Sequence, residues 1–228
     1  MSELPFSAVL LAAGNASRMQ GQFKQLLPLP TPDGEEPAVR VSACALLSSG
    51  AEEVVVVTGH RGREVIGALA DLPLSFQSNP RYAEGQMTSV AAGLSALRAP
   101  CSAVMICLAD MVLIQPEDYR HLAAVYAGLP GNTILVPHHR GARGNPVVFA
   151  ASRVPEVLAG TINPGCRRLI EDHPLDVMQY ELDHDRFVRD IDTPQDYARI
   201  RAELELQHGK EPMDLRDVAA PRARTCSH

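Results

Sequence analysis

Short apolar stretches alternate along this chain with longer amphipathic ones. Residues 7–12, 53–58, 74–77, 103–108 and 133–137 predict buried strands, and 146–149, 177–181 and 187–190 predict shorter ones. Between them, 37–49, 61–70, 88–97, 116–127 and 194–207 place apolar residues three and four apart, several opening with Pro in the first turn, and predict helices. Such alternation is the pattern of β-α-β units, so the expected fold class is α/β: a mostly parallel sheet with helices on both faces and right-handed crossovers. Ligands of open sheets bind beyond the carboxyl ends of the strands. Four places satisfy that condition, namely 13–24, 79–89, Asp110 and 190–192. Residues 209–228 are polar, proline-interrupted and without apolar period, which predicts one domain over 1–208 followed by a mobile tail.

Composition narrows the classes. With 228 residues and 46% hydrophobic side chains the chain can bury one substantial core. A net charge of −6 argues against nucleic acid or an anionic membrane surface as partner. No apolar run approaches the roughly 20 residues that span a bilayer, and no signal peptide opens the chain, so a cytoplasmic protein is expected. The five cysteines form no C-x-x-C pair, so free thiols are expected.

Candidate chemistry clusters after the first strand. Leu11, Ala12, Ala13, Gly14, Ser17 and Arg18, followed by Lys24, supply small residues, a hydroxyl and two cations. Small residues let backbone N–H groups approach phosphate oxygens, and the cations offset the charge of a triphosphate. Neither a Walker A loop nor a G-x-G-x-x-G fingerprint is present. Asp110 ends an apolar strand, where a carboxylate can hold magnesium or simply cap a turn. Asp190 and Asp192 straddle Ile191, so an extended backbone turns both to one side. Asn79, Gly85 and Ser89 belong to a loop that runs into a helix and suit base or ribose recognition. His138 and His139 are adjacent on extended backbone, which points them apart, and are read as surface-loop residues.

Leu-Ala-Ala-Gly-x-x-Ser-Arg-Met from Leu11, Lys24, Leu108-Ala109-Asp110-Met111, Arg143-Gly144-Asn145-Pro146-Val147 and Asp190-Ile191-Asp192-Thr193-Pro194 together resemble the molybdopterin nucleotidyltransferase family, especially its cytidylyltransferase branch. The resemblance covers about residues 5–205. It implies a Rossmann-like three-layer nucleotidyltransferase fold, Mg2+ held by Asp110 and Asp190, catalytic roles for Lys24, Arg18 and Asp110, and acceptor contacts at Gly144 and Asn145. Asp192 is left as a turn or cap residue. CTP, a phosphorylated pterin and a client molybdoenzyme are the implied partners. The chain departs from the family pattern in carrying one extra residue ahead of Lys24, Asn163 in place of an acidic side chain, and Val112 in place of proline.

The reading that follows is transfer of CMP from CTP to the phosphate of molybdopterin, with pyrophosphate leaving. A phosphate monoester with second pKa about 6 is already an anionic nucleophile at neutral pH, so no general base is required. Two other readings use the same residues: a sugar- or alditol-phosphate nucleotidyltransferase, and a non-catalytic carrier of molybdenum cofactor. Ala13, where guanylyl-transferring relatives tend to have glycine, favours CTP over GTP.

Overall fold

The computed structural model describes residues 4–14, 19, 21–159 and 166–209. Its strands are β1 (Phe6–Ala12), β2 (Pro28–Thr31), β3 (Gly34–Pro37), β4 (Glu53–Thr58), β5 (Ser75–Ser78), β6 (Ala103–Leu108), β7 (Ile134–His139), β8 (Ala142–Arg143), β9 (Val147–Ala150) and β10 (Val177–Glu181). The helices are α1 (Ala38–Ser48), α2 (Gly62–Ala68), α3 (Gln86–Ala96), α4 (Pro116–Ala127), α5 (Val154–Ala159), α6 (Arg167–Asp172) and α7 (Pro194–Gln207). The main sheet runs β10-β7-β9-β6-β1-β4-β5, with β8 added on β7 and β2–β3 forming a separate hairpin. Only β9 and the two-residue β8 run against the rest, so the sheet is mostly parallel.

β1 is an interior strand of the sheet, with both of its edges paired and both of its faces covered. Leu10 lies opposite Val56 on one side and Cys107 on the other. Ala8, Leu10 and Ala12 face a core shared with α1, α2 and α4. Val9, Leu11 and Ala13 face the opposite core, with α3, α5 and α6. Strand periodicity thus produces the three layers directly. α3 lies close on the sheet because Gly93 has no side chain: a Cβ there would stand 2.8 Å from Val57 Cγ2 and nearer still to Val9. A third cluster, Met19, Leu27, Leu29, Ile191, Tyr197 and Ile200 among its members, fixes α7 to the β2–β3 hairpin.

One expectation needs correction, and two features went unread. Residues 187–190 are not a strand: Arg186–Val188 is one 3-10 turn that buries Phe187, and the chain then crosses the carboxyl end of the sheet, where Ile191 N–H donates to the Asp110 carbonyl at 3.1 Å. The segment makes isolated backbone bonds there, with Asp110 and Asn145, in place of a strand ladder. The hairpin at 28–37 went unread because Pro28, Pro30 and Pro37 suppress a strand signal, although proline is tolerated in an isolated two-stranded ribbon. α5 and α6 have six residues each and are too short to show a period. The tail expected from 209 lies outside the described residues beyond its first position. No helix among the described residues is long and apolar enough to cross a membrane.

Candidate active site

Past the ends of β1 and β6 the chain gives up strand pairing and exposes functional groups. Ala109 N–H still donates to Leu11 O at 3.1 Å, so Ala13-Gly14 and Asp110 leave the sheet side by side. The backbone bond between Ile191 and Asp110 brings in the third segment. Ile191 is wholly buried, and the carboxylates flanking it emerge beside Asp110. One oxygen each of Asp110, Asp190 and Asp192 lies within 4.8 Å of the other two. Asp192 is therefore a member of the cluster and not a cap. The cap of α7 is Thr193, whose hydroxyl accepts from Asp196 N–H while the Asp196 carboxylate accepts from Thr193 N–H.

Lys24 completes the group. Its Nζ lies 2.5 Å from Asp110 Oδ2 and 3.0 Å from Asp192 Oδ1. The lysine rides on a 3-10 turn closed by Leu26 N–H to Phe23 O at 3.0 Å. Phe23 anchors that turn, packing edge-on against His60 at 5.6 Å and beneath the Arg61 guanidinium at 5.0 Å. The extra residue before Lys24 thus leaves the ammonium within reach of the acidic cluster.

Electrostatics follow from this crowding. Burial alone would lower the Lys24 pKa, but Asp110 and Asp192 outweigh it and hold the pKa above its ordinary value. Burial, reinforced by the charges of Asp110 and Asp192, pushes the Asp190 pKa up to about 6. Among the described residues three carboxylates face one ammonium, which leaves a deficit of two positive charges when all are ionised. Among the described residues Asp110 Oδ1 is also buried with no hydrogen-bond partner, a state that is costly unless a cation or donor arrives. Hard oxygen ligands, this charge deficit and the orphaned oxygen all fit a divalent cation such as Mg2+.

A cavity of about 190 Å3 adjoins the carboxylates. Leu11, Ala13, Gly14, Lys24, Ser89 and Asp110 line it, as do four residues that sequence reasoning missed: Gln25, Tyr82, Gln86 and Leu108. Two of these, Tyr82 and Gln86, sit inside the 79–89 loop already singled out, and Gln25 follows Lys24; their chemistry carried no signal of its own. Ala12 points away into the opposite core, so only its backbone can serve a nucleotide. Asn79 is 4% exposed and commits its amide internally, donating to Thr88 Oγ1 at 2.8 Å and Ser89 Oγ at 2.9 Å and accepting from Arg81 N–H at 3.0 Å. These bonds shape the loop. Gly85, with φ of 123°, takes the backbone conformation that starts α3. Ser17, Arg18 and Asn163 lie outside the described residues.

Gly144 and Asn145 sit on the β9 side of the site. Gly144 is buried, and a Cβ there would collide with the Phe187 carbonyl, so its lack of a side chain is needed for packing before any acceptor arrives. Asn145 N–H donates to Phe187 O at 2.9 Å, while its side chain is half-buried.

A small-residue loop, a lysine and converging carboxylates at the carboxyl ends of parallel strands define a nucleotidyltransferase. Residues 8–177 match the model of the MobA-like NTP transferase domain, and the chain belongs to that family. Over 196 residues it is 26% identical to the molybdenum cofactor cytidylyltransferase of Escherichia coli K12, spanning 85% of this chain and 94% of that one. A nucleotidyl transferase from Methanothermobacter superposes with TM-score 0.76 at 24% identity, covering 89% of this chain and 99% of its own. A Mycobacterium tuberculosis protein solved in complex with manganese gives TM-score 0.68 at 21% identity, over 86% of this chain and 98% of that one.

Proposed function

We propose that the protein transfers CMP from CTP to the terminal phosphate of molybdopterin, or of molybdenum cofactor, and releases pyrophosphate. The carrying observation is the cluster of Asp110, Asp190 and Asp192 closed by Lys24 at the mouth of the Ala13–Ser89 cavity. The likeness to the Escherichia coli cytidylyltransferase over most of both chains supports the choice of acceptor.

Asp110 and Asp190, with Asp192 beside them, would hold Mg2+, which when bound supplies charge neutralisation to the phosphate oxygens. Leu11, Ala13 and Gly14 offer a close, small-side-chain wall for the nucleotide, with the Ser89 hydroxyl on the facing helix. The ammonium of Lys24 releases the carboxylates and bonds to phosphate oxygens, where it offsets the charge that grows on the leaving pyrophosphate. The acceptor phosphate needs no base, being already anionic. Its oxygen forms the new P–O–P linkage as the α–β phosphoanhydride breaks, and pyrophosphate departs with the bonding electron pair.

Pyrophosphate release is the deciding measurement, made with CTP, Mg2+ and either molybdopterin or a panel of sugar- and alditol-phosphates. Release with molybdopterin alone is expected. Release with a sugar phosphate and none with the pterin would overturn the acceptor assignment and leave the nucleotidyltransferase in place.

A further inference from the structure

Pro28 opens β2 four residues after Lys24, and Tyr197 follows Asp192 by five. The Pro28 carbonyl accepts two hydrogen bonds from α7: Tyr197 Oη donates at 2.7 Å and Arg201 Nη1 at 2.9 Å. Both side chains are buried. Arg201 also donates through Nη2 to Glu35 on β3, and its Nε stands 3.1 Å from the Glu205 carboxylate one turn further along α7. One guanidinium thereby holds both strands of the hairpin, its charge set between two carboxylates. From the two segments joined in this way, Lys24 and Asp192 meet at 3.0 Å.

Burying α7 does not require these polar bonds. Leu27, Leu29, Ile200 and Leu204 already share an apolar cluster across the same interface. Apolar contact is non-directional and sets no register along the hairpin. Two donors converging on one carbonyl do set it, because hydrogen bonds weaken steeply away from their preferred angle. A buried guanidinium also costs desolvation that an apolar side chain would avoid, so its presence here is accounted for by exact placement and not by stability. The backbone bond from Ile191 to Asp110 fixes the segment ahead of α7 to the sheet. Phe23 holds the leading end of the lysine turn against His60 and Arg61. The Pro28 clamp adds a third constraint, joining the trailing end of that turn to the helix that follows the carboxylates.

We propose that Tyr197 and Arg201 are positioning residues for nucleotidyl transfer: through the Pro28 carbonyl they set where the Lys24 ammonium stands relative to Asp110 and Asp192. A displacement of about 1 Å is enough to cost on the order of 10²-fold in rate. This rests on Lys24 acting on phosphate oxygens, as proposed above, and adds the groups that hold it in register.

The test uses the full chain with Tyr197→Phe, Arg201→Lys and the two combined. Phenylalanine keeps the ring in its apolar cluster, and lysine keeps a charge between Glu35 and Glu205 without the planar fork that reaches the carbonyl as well. Each single variant retains a donor on Pro28 and should lower kcat about 5-fold. The combination should lower it about 10²-fold with KM for CTP unchanged. The same substitutions are then made in Lys24→Ala, where they should have no further effect on kcat because the group they position is gone. A mere loss of folded protein would multiply through both backgrounds, and that result would overturn the proposal. Mn2+ titration followed by electron paramagnetic resonance gives a readout independent of turnover. The combined variant should bind Mn2+ about 5-fold more tightly, as Lys24→Ala should, since a displaced ammonium no longer competes for the carboxylates. Adding Lys24→Ala to it should tighten binding no further. Unchanged Mn2+ affinity in the folded combined variant would overturn the positioning role. If the Mn2+ shifts appear while wild type releases no pyrophosphate with molybdopterin, the proposed reaction falls and the placement of Lys24 by Tyr197 and Arg201 stands.

Discussion

Lys24 Nζ lies 2.5 Å from Asp110 Oδ2, so the ammonium stands among the carboxylates as their counterion. In the absence of other cations it suppresses the repulsion between Asp110 and Asp192. Lys24→Ala should therefore have two effects. kcat should fall about 10²-fold or more through loss of one preorganised electrostatic donor. The variant's melting temperature should also become more dependent on added Mg2+ than that of wild type. A rise in KM with kcat unchanged would place Lys24 outside the transition state.

Asp190 gives a pH signature. Its folded pKa of about 6 stands above the ordinary carboxylate value of 3.8. A raised pKa means that the folded state holds the proton more tightly. This residue's contribution to stability is thus fully present below its ordinary value and lost as pH rises through about 6. A divalent cation requires the deprotonated form, so affinity for Mg2+ or Mn2+ should fall as pH drops through about 6, and melting in chelator should show the opposite trend. Asp190→Asn should flatten the step near 6. Cation affinity that stays constant from pH 7.5 to 5 would refute the assignment.

Ala13 is buried, lines the cavity and would meet any side chain added to Gly59 at 2.9 Å, so its methyl occupies a confined space. Wild type should prefer CTP over GTP by roughly 10- to 200-fold in kcat/KM, the value of about one methyl in a fitted pocket. In Ala13→Gly, GTP use should rise without a matching rise for CTP. The comparison uses one acceptor throughout, and a wild type that prefers GTP defeats the cytidylyl assignment.

Arg186 donates to both carboxylate oxygens of Asp118, at 2.8 and 2.6 Å, and the Asp118 side chain is 7% exposed. The same carboxylate accepts from Gln115 N–H at 2.8 Å, closing the start of α4. Asp118→Ala removes the partner of a partly buried guanidinium and a helix cap together. It should cost about 2–3 kcal/mol in denaturant unfolding, below the full effect of a wholly buried pair because Arg186 reaches solvent. Because Arg186 lies four residues before Asp190, kcat should fall as well. A loss under 0.5 kcal/mol would mean that the pair is incidental.

Strand and helix periods were legible where each residue has one neighbour pattern to satisfy. β4, β6, β10, α4 and α7 begin and end where the apolar pattern does. Asp110 was legible for the same reason, since the end of an apolar run locates the crevice. Asp192 was not: its role depends on Ile191 bonding to a carbonyl 81 positions earlier, a long-range contact that no local period records. Asn79 and Gly144 show the converse. Each carries a suggestive side chain or none at all, yet Asn79 is consumed by Thr88 and Ser89 and Gly144 by the closeness of Phe187. A residue type announces what chemistry is available, while only packing decides whether the group is still free.

The single backbone bond from Ile191 to Asp110 also has a meaning in time. Lys24 and Asp110 are synthesised along with β1, β4 and β6, but Asp190 and Asp192 reach the site only once α7 has emerged to pack on the β2–β3 hairpin. A chain still on the ribosome can build most of its sheet while lacking two of its three carboxylates. The complete cluster of carboxylates is thereby withheld until α7 has emerged, and the arrival of that helix is what converts a folded scaffold into a charged site.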